Sequence, residues 1–199
     1  MSGSWARFRL STQDAKTERN SLSADLSATE FIRLALQHHH MMHPAAWLVP
    51  RVVAKTAGYW NEDLSLNDDG EYFARVVLAA GKVSHVPAAT SYYRSGLAGS
   101  LSRTRSDRAW RSQLLSSSLT VDHLLRHSDT PEARQAAADA LRRDCLDAYP
   151  YCPHLRAEME LKVTALGGSD LRYAAGPRYA LLAKCVGWRL AKRIRNHLG

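Results

Sequence analysis

With only three cysteines, Cys145, Cys152 and Cys185, and no Cys-x-x-Cys pair among them, the sequence offers neither a disulfide framework nor a zinc site. The three read as ordinary thiols. Glycine and proline number 11 and 7 in 199 residues, too few for a fibrous chain. No apolar run approaches the ~18 to 20 residues of a membrane-spanning helix, and Met1 to Leu10 lacks the apolar centre of a signal peptide. A cytoplasmic protein is therefore expected. Acidic residues are missing where basic ones gather: six of the 27 Lys and Arg, and none of the 19 Asp and Glu, fall between Arg178 and Gly199. The net charge of +8 thus belongs largely to the tail. No basic face interleaved with aromatics precedes it, which argues against a nucleic-acid partner.

What is present, 45% hydrophobic and 23% charged residues, suits one globular domain with an appendage. Trp5, Phe8 and Leu10 suggest a short strand, and Ser11 to Asp25 reads as a loop. Ser27 and Glu30 form a capping box ahead of a helix carrying Phe31, Leu34 and Ala35. Ala45 to Val49 is an apolar run of strand length ending at Pro50, followed by a short helix over Arg51 to Thr56 that Gly58 can stop. Residues 58 to 70 mix aromatic, acidic and turn-forming types, as a loop over a pocket does. The spacing of Phe73, Val76, Val77 and Ala80 predicts a helix over 71–80 capped by Gly81. Val83 to Val86 reads as a strand stopped by Pro87, and Ser91 to Arg94 as another. Ser95 to Ser102 is a Gly/Ser-rich hinge. Beyond it only helical patterns remain, at about 107–126, 131–149, 154–165 and 178–197. The expected architecture is α/β, a partial sheet with flanking helices over 1–103, followed by an all-helical extension over 104–199.

The densest group of chemically able side chains is Asn67-Asp68-Asp69-Gly70-Glu71, with Arg75 four residues past the glutamate. Carboxylates at a helix start cap free N–H groups and meet the positive end of the helix dipole, and Glu71 with Arg75 is an i,i+4 pair. Alternatively, Asp68 or Asp69 projects into a cleft and takes a proton from a substrate hydroxyl, kept ionised by the dipole.

The stretch from Ala46 to Arg94 adds an ordered series of short motifs. A hydrophobic-Pro-Arg ending, Val49-Pro50-Arg51, leads to a helix and then to the turn Gly58-Tyr59-Trp60-Asn61. Asp68 and Asp69 open a helix with Arg75 on its second turn. Gly81-Lys82, Val86-Pro87 and Tyr93-Arg94 follow. This series resembles the acceptor-side part of family 2 glycosyltransferases with the GT-A fold. The resemblance implies non-processive, inverting transfer of a sugar from a nucleotide-sugar donor to an acceptor hydroxyl, in cell-surface glycan assembly. It implies that Asp69 is the general base and that Asp68 binds the acceptor or shapes the turn. It places Trp60 against an acceptor sugar, although Trp60 reads equally as a core anchor for its loop. Arg94 would meet the diphosphate, or else pair with a carboxylate at the surface.

The departures from the pattern matter as much. The family holds its diphosphate through a divalent cation, Mn²⁺ or Mg²⁺, on an Asp-x-Asp motif, and no Asp-x-Asp occurs in this chain. Only 45 residues precede Ala46, too few for a nucleotide-binding half. No cation is therefore expected on this chain, and by itself it should be inactive, self-associating or joining a separate donor half. Gln-x-x-Arg-Trp, the mark of processive synthases, is also missing. His38, His39, His40 and His43 invite a metal reading through the i,i+4 spacing of His39 and His43, but no acidic partner sits in the run and Pro44 follows. In the tail, Leu181, Leu182, Val186, Trp188, Leu190, Ile194 and Leu198 interleave with the six basic residues. That pattern suits a helix lying on an anionic membrane, which would make the protein peripheral on the inner face. It suits equally a terminal helix packed on the helical half. A non-catalytic membrane- or partner-binding module derived from a glycosyltransferase is the competing reading.

Overall fold

The computed structural model describes residues 1–97, 106–173 and 177–198. The hinge expected over 95–102 and the boundary at 103 lie outside the described residues from 98 onward. The protein is mixed α/β. Its main sheet has three strands in the order β2-β1-β5, with β1 (Ser2–Phe8) between β2 (Lys16–Thr17), antiparallel to it, and β5 (His85–Arg94), parallel to it. A second, two-stranded pair joins β3 (Leu26–Ser27) to β4 (Lys82–Val83). A parallel pair needs a long crossover, and the chain between β1 and β5 supplies α1 (Ala28–His38), α2 (Arg51–Ala57) and α3 (Asp68–Ala80).

The helix starts follow the predicted chemistry, with one difference. Ser27 Oγ accepts the Glu30 N–H of α1 at 3.3 Å, but the Glu30 carboxylate turns to Arg33 at 2.7 Å instead of reaching back. The capping box is half made, because a guanidinium is the stronger partner for a carboxylate. Helices α4 (Asp107–His127) and α5 (Pro131–Ala148) open on Ser106 and Thr130, whose hydroxyls accept the N–H of the third residue of each helix, Ala109 and Ala133. They are followed by α6 (Pro153–Ala165), α7 (Pro177–Val186) and α8 (Trp188–Leu198). The single tail helix expected over 178–197 is thus two, since Gly187 at φ +79° breaks it in a left-handed conformation that costs other residues free energy.

Two further expectations are corrected. Ala45 to Val49 is not a buried strand: Pro44–Ala46 is a 3₁₀ turn, and the segment after it meets the sheet only through a Ser2–Trp47 bridge and paired bonds between Met1 and Leu48. With no second neighbouring strand, Leu48 is left 65% exposed. Pro87 does not stop a strand either, and one strand runs through it to Arg94. The β1–β5 register slips between Gly3 and Ser4, so that Pro87 to Ala89 bulge out of the ladder, where a missing N–H costs nothing. Ser4 Oγ donates to Pro87 O at 3.2 Å across the bulge. Gly3 is required there, because a Cβ would lie 2.5 Å from Ala89 O.

Two hydrophobic clusters join the α/β part to the helices. The first packs Phe31, Ile32, Ala74 and Val77 with Leu124 of α4 and Ala133 of α5. The second packs Leu114 and Val121 of α4 with Leu141 and Cys145 of α5 and Met159 and Val163 of α6. Each fully buried Leu or Val contributes roughly 1.5–3 kcal/mol. Helix α4 therefore runs as a shared wall behind α3, and that placement builds the site below.

Candidate active site

Asp69 lies in the first turn of α3, preceded by Asn67 at φ +58°. Two serines one turn apart on α4 hold this entry. Ser112 Oγ accepts the N–H groups of Ser65 and Leu66 at 2.8 and 2.9 Å and donates to Leu66 O at 2.8 Å. Ser116 Oγ donates to Asn67 O at 2.6 Å and accepts from Asn67 Nδ2 at 2.9 Å. Peptide groups that would otherwise need water are satisfied by a rigid helix, and the Asp68–Asp69 pair is pinned with them.

Asp69 is half-buried, and its Oδ1 accepts the Gly70 N–H at 2.9 Å. Burial pushes its carboxyl above the ordinary value; the Gly70 N–H works against that rise, the charge of Asp68 adds to it, and His43 offsets it slightly. Loss of water outweighs the backbone N–H groups at the helix start, so the carboxyl holds its proton more tightly than one in water. His43 comes from the loop after α1. Its ring packs on Tyr93 of β5 at 5.0 Å and Trp5 of β1 at 6.2 Å, and Nδ1 lies 3.4 Å from Ser91 Oγ. Burial pushes the imidazole below its usual range and the charge of Asp69 pulls it partly back, so His43 is neutral near pH 7. The Arg7 guanidinium covers Trp5 and Tyr93 at 5.4 and 5.6 Å and is paired to Glu18 at 3.1 Å. These side chains gather toward the carboxyl ends of the two parallel strands, where open α/β sheets place their crevices.

Trp60 is exposed and stacks on Tyr72 at 4.2 Å, one turn beyond Asp69 on α3. Phe73 continues inward by stacking on Trp47, which meets Phe31 edge-on. Trp60 is thus the outer end of an aromatic series that reaches the core, and Tyr72 occupies one face of its ring. The turn before it is held by Arg75, which donates to Ala57 O, to Tyr59 O at 2.9 Å and to Glu71 at 2.7 Å. Glu71 is buried and lies 3.0 Å from His123 Nε2 on α4. Arg126 Nη2 faces His123 Nδ1, and a guanidinium can only donate, so Nδ1 accepts and Nε2–H points at Glu71. The expected i,i+4 pair is present, as a buried tie between α2, α3 and α4.

The structure does not draw every predicted residue together. Arg94 is exposed, lies over Phe8 at 5.9 Å, and donates through Nε to Arg9 O at 3.5 Å. Helix α1 ends at His38, and His39 turns left-handed, so His39 and His43 are not helical neighbours. Among the described residues no three His, Cys, Asp or Glu side chains form a metal-holding group. Cys145 is buried and its thiol is pushed up to about 12 by that burial, which keeps it unreactive. Sequence reasoning weighed His43 as a metal ligand or a packed histidine, not as a neighbour of Asp69, took Tyr93 only as part of a motif, and passed over Ser112, Ser116 and Arg7. Of these, the two serines had a signal: small polar residues spaced i,i+4 on the inward face of an otherwise apolar helix pattern.

Beside the site runs an open groove of about 410 Å³ between the amino-terminal half of β1, the 3₁₀ turn and β5, with Met1, Trp47, Leu48, Val86 and Ala89 in its walls. Two buried polar atoms of those walls, Ser2 Oγ and Trp47 Nε1, have no hydrogen-bond partner. No protein-family model, curated protein or solved structure matches the chain.

Proposed function

We propose that this chain carries the acceptor-side, base-bearing part of a non-processive, inverting glycosyltransferase of the family 2 type on a GT-A-like sheet, acting in cell-surface glycan assembly. The observation that carries the reading is Asp69: a half-buried carboxylate whose proton affinity is raised by burial, beside a neutral His43 near the carboxyl ends of β1 and β5, on a helix start braced from behind by α4. A carboxylate so placed is a better base than one in water. In the proposed step the acceptor hydroxyl gives its proton to Asp69, its oxygen bonds to the anomeric carbon with inversion, and the nucleoside diphosphate leaves with the bonding pair. Asp68 and the outer face of Trp60 take the acceptor, the indole offering an apolar plane to a sugar ring. Arg94 is the candidate for the diphosphate, supported by its exposed position at the end of β5.

When bound, a divalent cation would neutralise charge on the departing diphosphate. The described residues do not fit one: no ligand group of three converges, and no Asp-x-Asp occurs anywhere in the sequence. That part of the chemistry is assigned to a separate donor half. The open groove supports such a partner, because strands laid against it would cover the exposed Leu48 and Val86.

The test is complementation. With a donor half supplied by fusion or co-expression, Asp69→Asn should lower turnover by roughly 10²- to 10⁴-fold, the usual worth of a general base, with thermal unfolding unchanged or higher. Near-normal turnover in the variant returns Asp69 to helix capping.

A further inference from the structure

Helices α7 and α8 form a hairpin that attaches to the rest of the protein through one side of α8. Trp188 packs on Tyr149 at 5.2 Å and on Tyr173 at 5.4 Å. Lys192 is buried beside them, and its Nζ donates to Leu146 O and Asp147 O at 2.6 Å each, closing the end of α5. Arg195 lies over Tyr173. Arg193 lies over Tyr149 at 5.5 Å, so these aromatic residues and three of the basic ones are consumed by packing. The other side of the hairpin is different. Leu181, Val186 and Leu190 are 75%, 43% and 47% exposed, and Lys184 and Arg189 are exposed with them. No acidic residue follows Asp170 in the sequence, so nothing within this segment neutralises them.

We propose that this outer face is a docking surface for an anionic lipid bilayer, on which the α7–α8 hairpin lies flat with its aliphatic side chains among the acyl chains and its basic ones at the phosphates. Charge complementarity selects the occupant. Two exposed cations, Lys184 and Arg189, in a segment that holds no Asp or Glu favour an anionic surface, and three exposed aliphatic side chains favour one with an apolar interior. Single-stranded nucleic acid would supply the charge, but it is held by exposed aromatic planes, and here Trp188 and Tyr173 are turned inward. The helices are 10 and 11 residues long, about 15 Å each, half of what crosses a ~30 Å hydrocarbon core. No helix among the described residues is long and apolar enough to cross a membrane. The surface lies on rather than in the bilayer, and it does not depend on the catalytic reading of Asp69.

Sedimentation of the full chain with phosphatidylcholine vesicles, with and without phosphatidylglycerol, tests this. Binding should need phosphatidylglycerol and fall about tenfold or more when salt shortens the screening length to a few Å. Lys184→Gln with Arg189→Gln should weaken it roughly tenfold or more, at about fivefold per charge. Leu181→Asn with Leu190→Asn should weaken it comparably without altering the thermal unfolding curve, since both side chains are exposed. Equal binding to vesicles without phosphatidylglycerol, or unchanged binding by either double variant, overturns the proposal. So does binding to duplex DNA as tight as to the vesicles and indifferent to the Leu→Asn changes, which would mark a general polyanion surface.

Discussion

Asp69 and Glu71 sit two residues apart on one helix, and their surroundings push them in opposite directions. For Glu71 burial acts to raise the pKa, but hydrogen bonds from Arg75 and His123 outweigh it, and the carboxyl ends below its ordinary value. A depressed folded-state pKa means that its contribution to stability is complete above the unfolded value of about 4.3 and is lost as pH falls through the folded one. For Asp69 burial wins and the folded value is raised. Its contribution is therefore largest at low pH and is lost as pH rises through that folded value. Thermal unfolding followed from pH 7 down to 3 should show the wild type losing stability below about pH 4.5. Glu71→Gln should be less stable by about 1–3 kcal/mol at pH 7, with a shallower acid limb, because Arg75 and His123 keep only a neutral acceptor. Asp69→Asn should match or exceed the wild type at pH 7. An unchanged acid limb in Glu71→Gln would show that other carboxylates control acid unfolding.

The helices and strands place those residues through contacts that are local in space and remote in sequence. Ser112 and Ser116 reach back nearly fifty residues to hold the entry of α3. Ser112→Ala leaves the N–H groups of Ser65 and Leu66 without their acceptor, and should cost about 1–3 kcal/mol in denaturant unfolding while speeding exchange of those two amides. Slow exchange in the variant would mean that the loop is held by other contacts. The helix pattern itself was readable: Ser27 and Pro131 mark starts, Gly58 and Gly81 mark ends, and apolar spacing connects them, whereas the caps Ser106 and Thr130 came only with the structure. The strands were read less well. Ala45 to Val49 has the composition of a buried strand, yet a strand exists only where a neighbour supplies hydrogen bonds. Pro87 looked like a stop because the register slip that tolerates it depends on Gly3, more than eighty residues away.

The whole molecule has one side that its own chain covers poorly. β5 is an edge strand, most of its first half is exposed, and the groove beside it borders Leu48 and Met1. Exposed apolar edges of this kind invite another chain. Sedimentation velocity should show concentration-dependent association of the isolated chain that Leu48→Lys reduces, and the same substitution should block assembly with a donor half. Calorimetric titration of the isolated chain with UDP-, GDP- and dTDP-sugars in Mn²⁺ should show no micromolar binding, because among the described residues no cation-holding group converges and Arg94 alone is too little to hold a diphosphate. Tight binding, or transfer by the chain alone, would place a donor site on residues now assigned elsewhere.

By itself the sequence determined the helices, the caps of several of them, the acidic pair at the start of α3 and the concentration of positive charge in the tail. These follow from spacing, capping chemistry and composition within a few turns of chain, where each residue acts on near neighbours. Only the tertiary structure decided that burial raises the proton affinity of Asp69, that His43 comes within reach of its charge, and that α4 braces the start of α3. It also decided that Gly187 splits the tail into two helices, with Trp188 and Lys192 turned inward and Leu181 and Leu190 left outside. Burial and proximity depend on which surfaces meet after distant segments come together, and a linear pattern carries that information only where a resemblance or a packed partner supplies it.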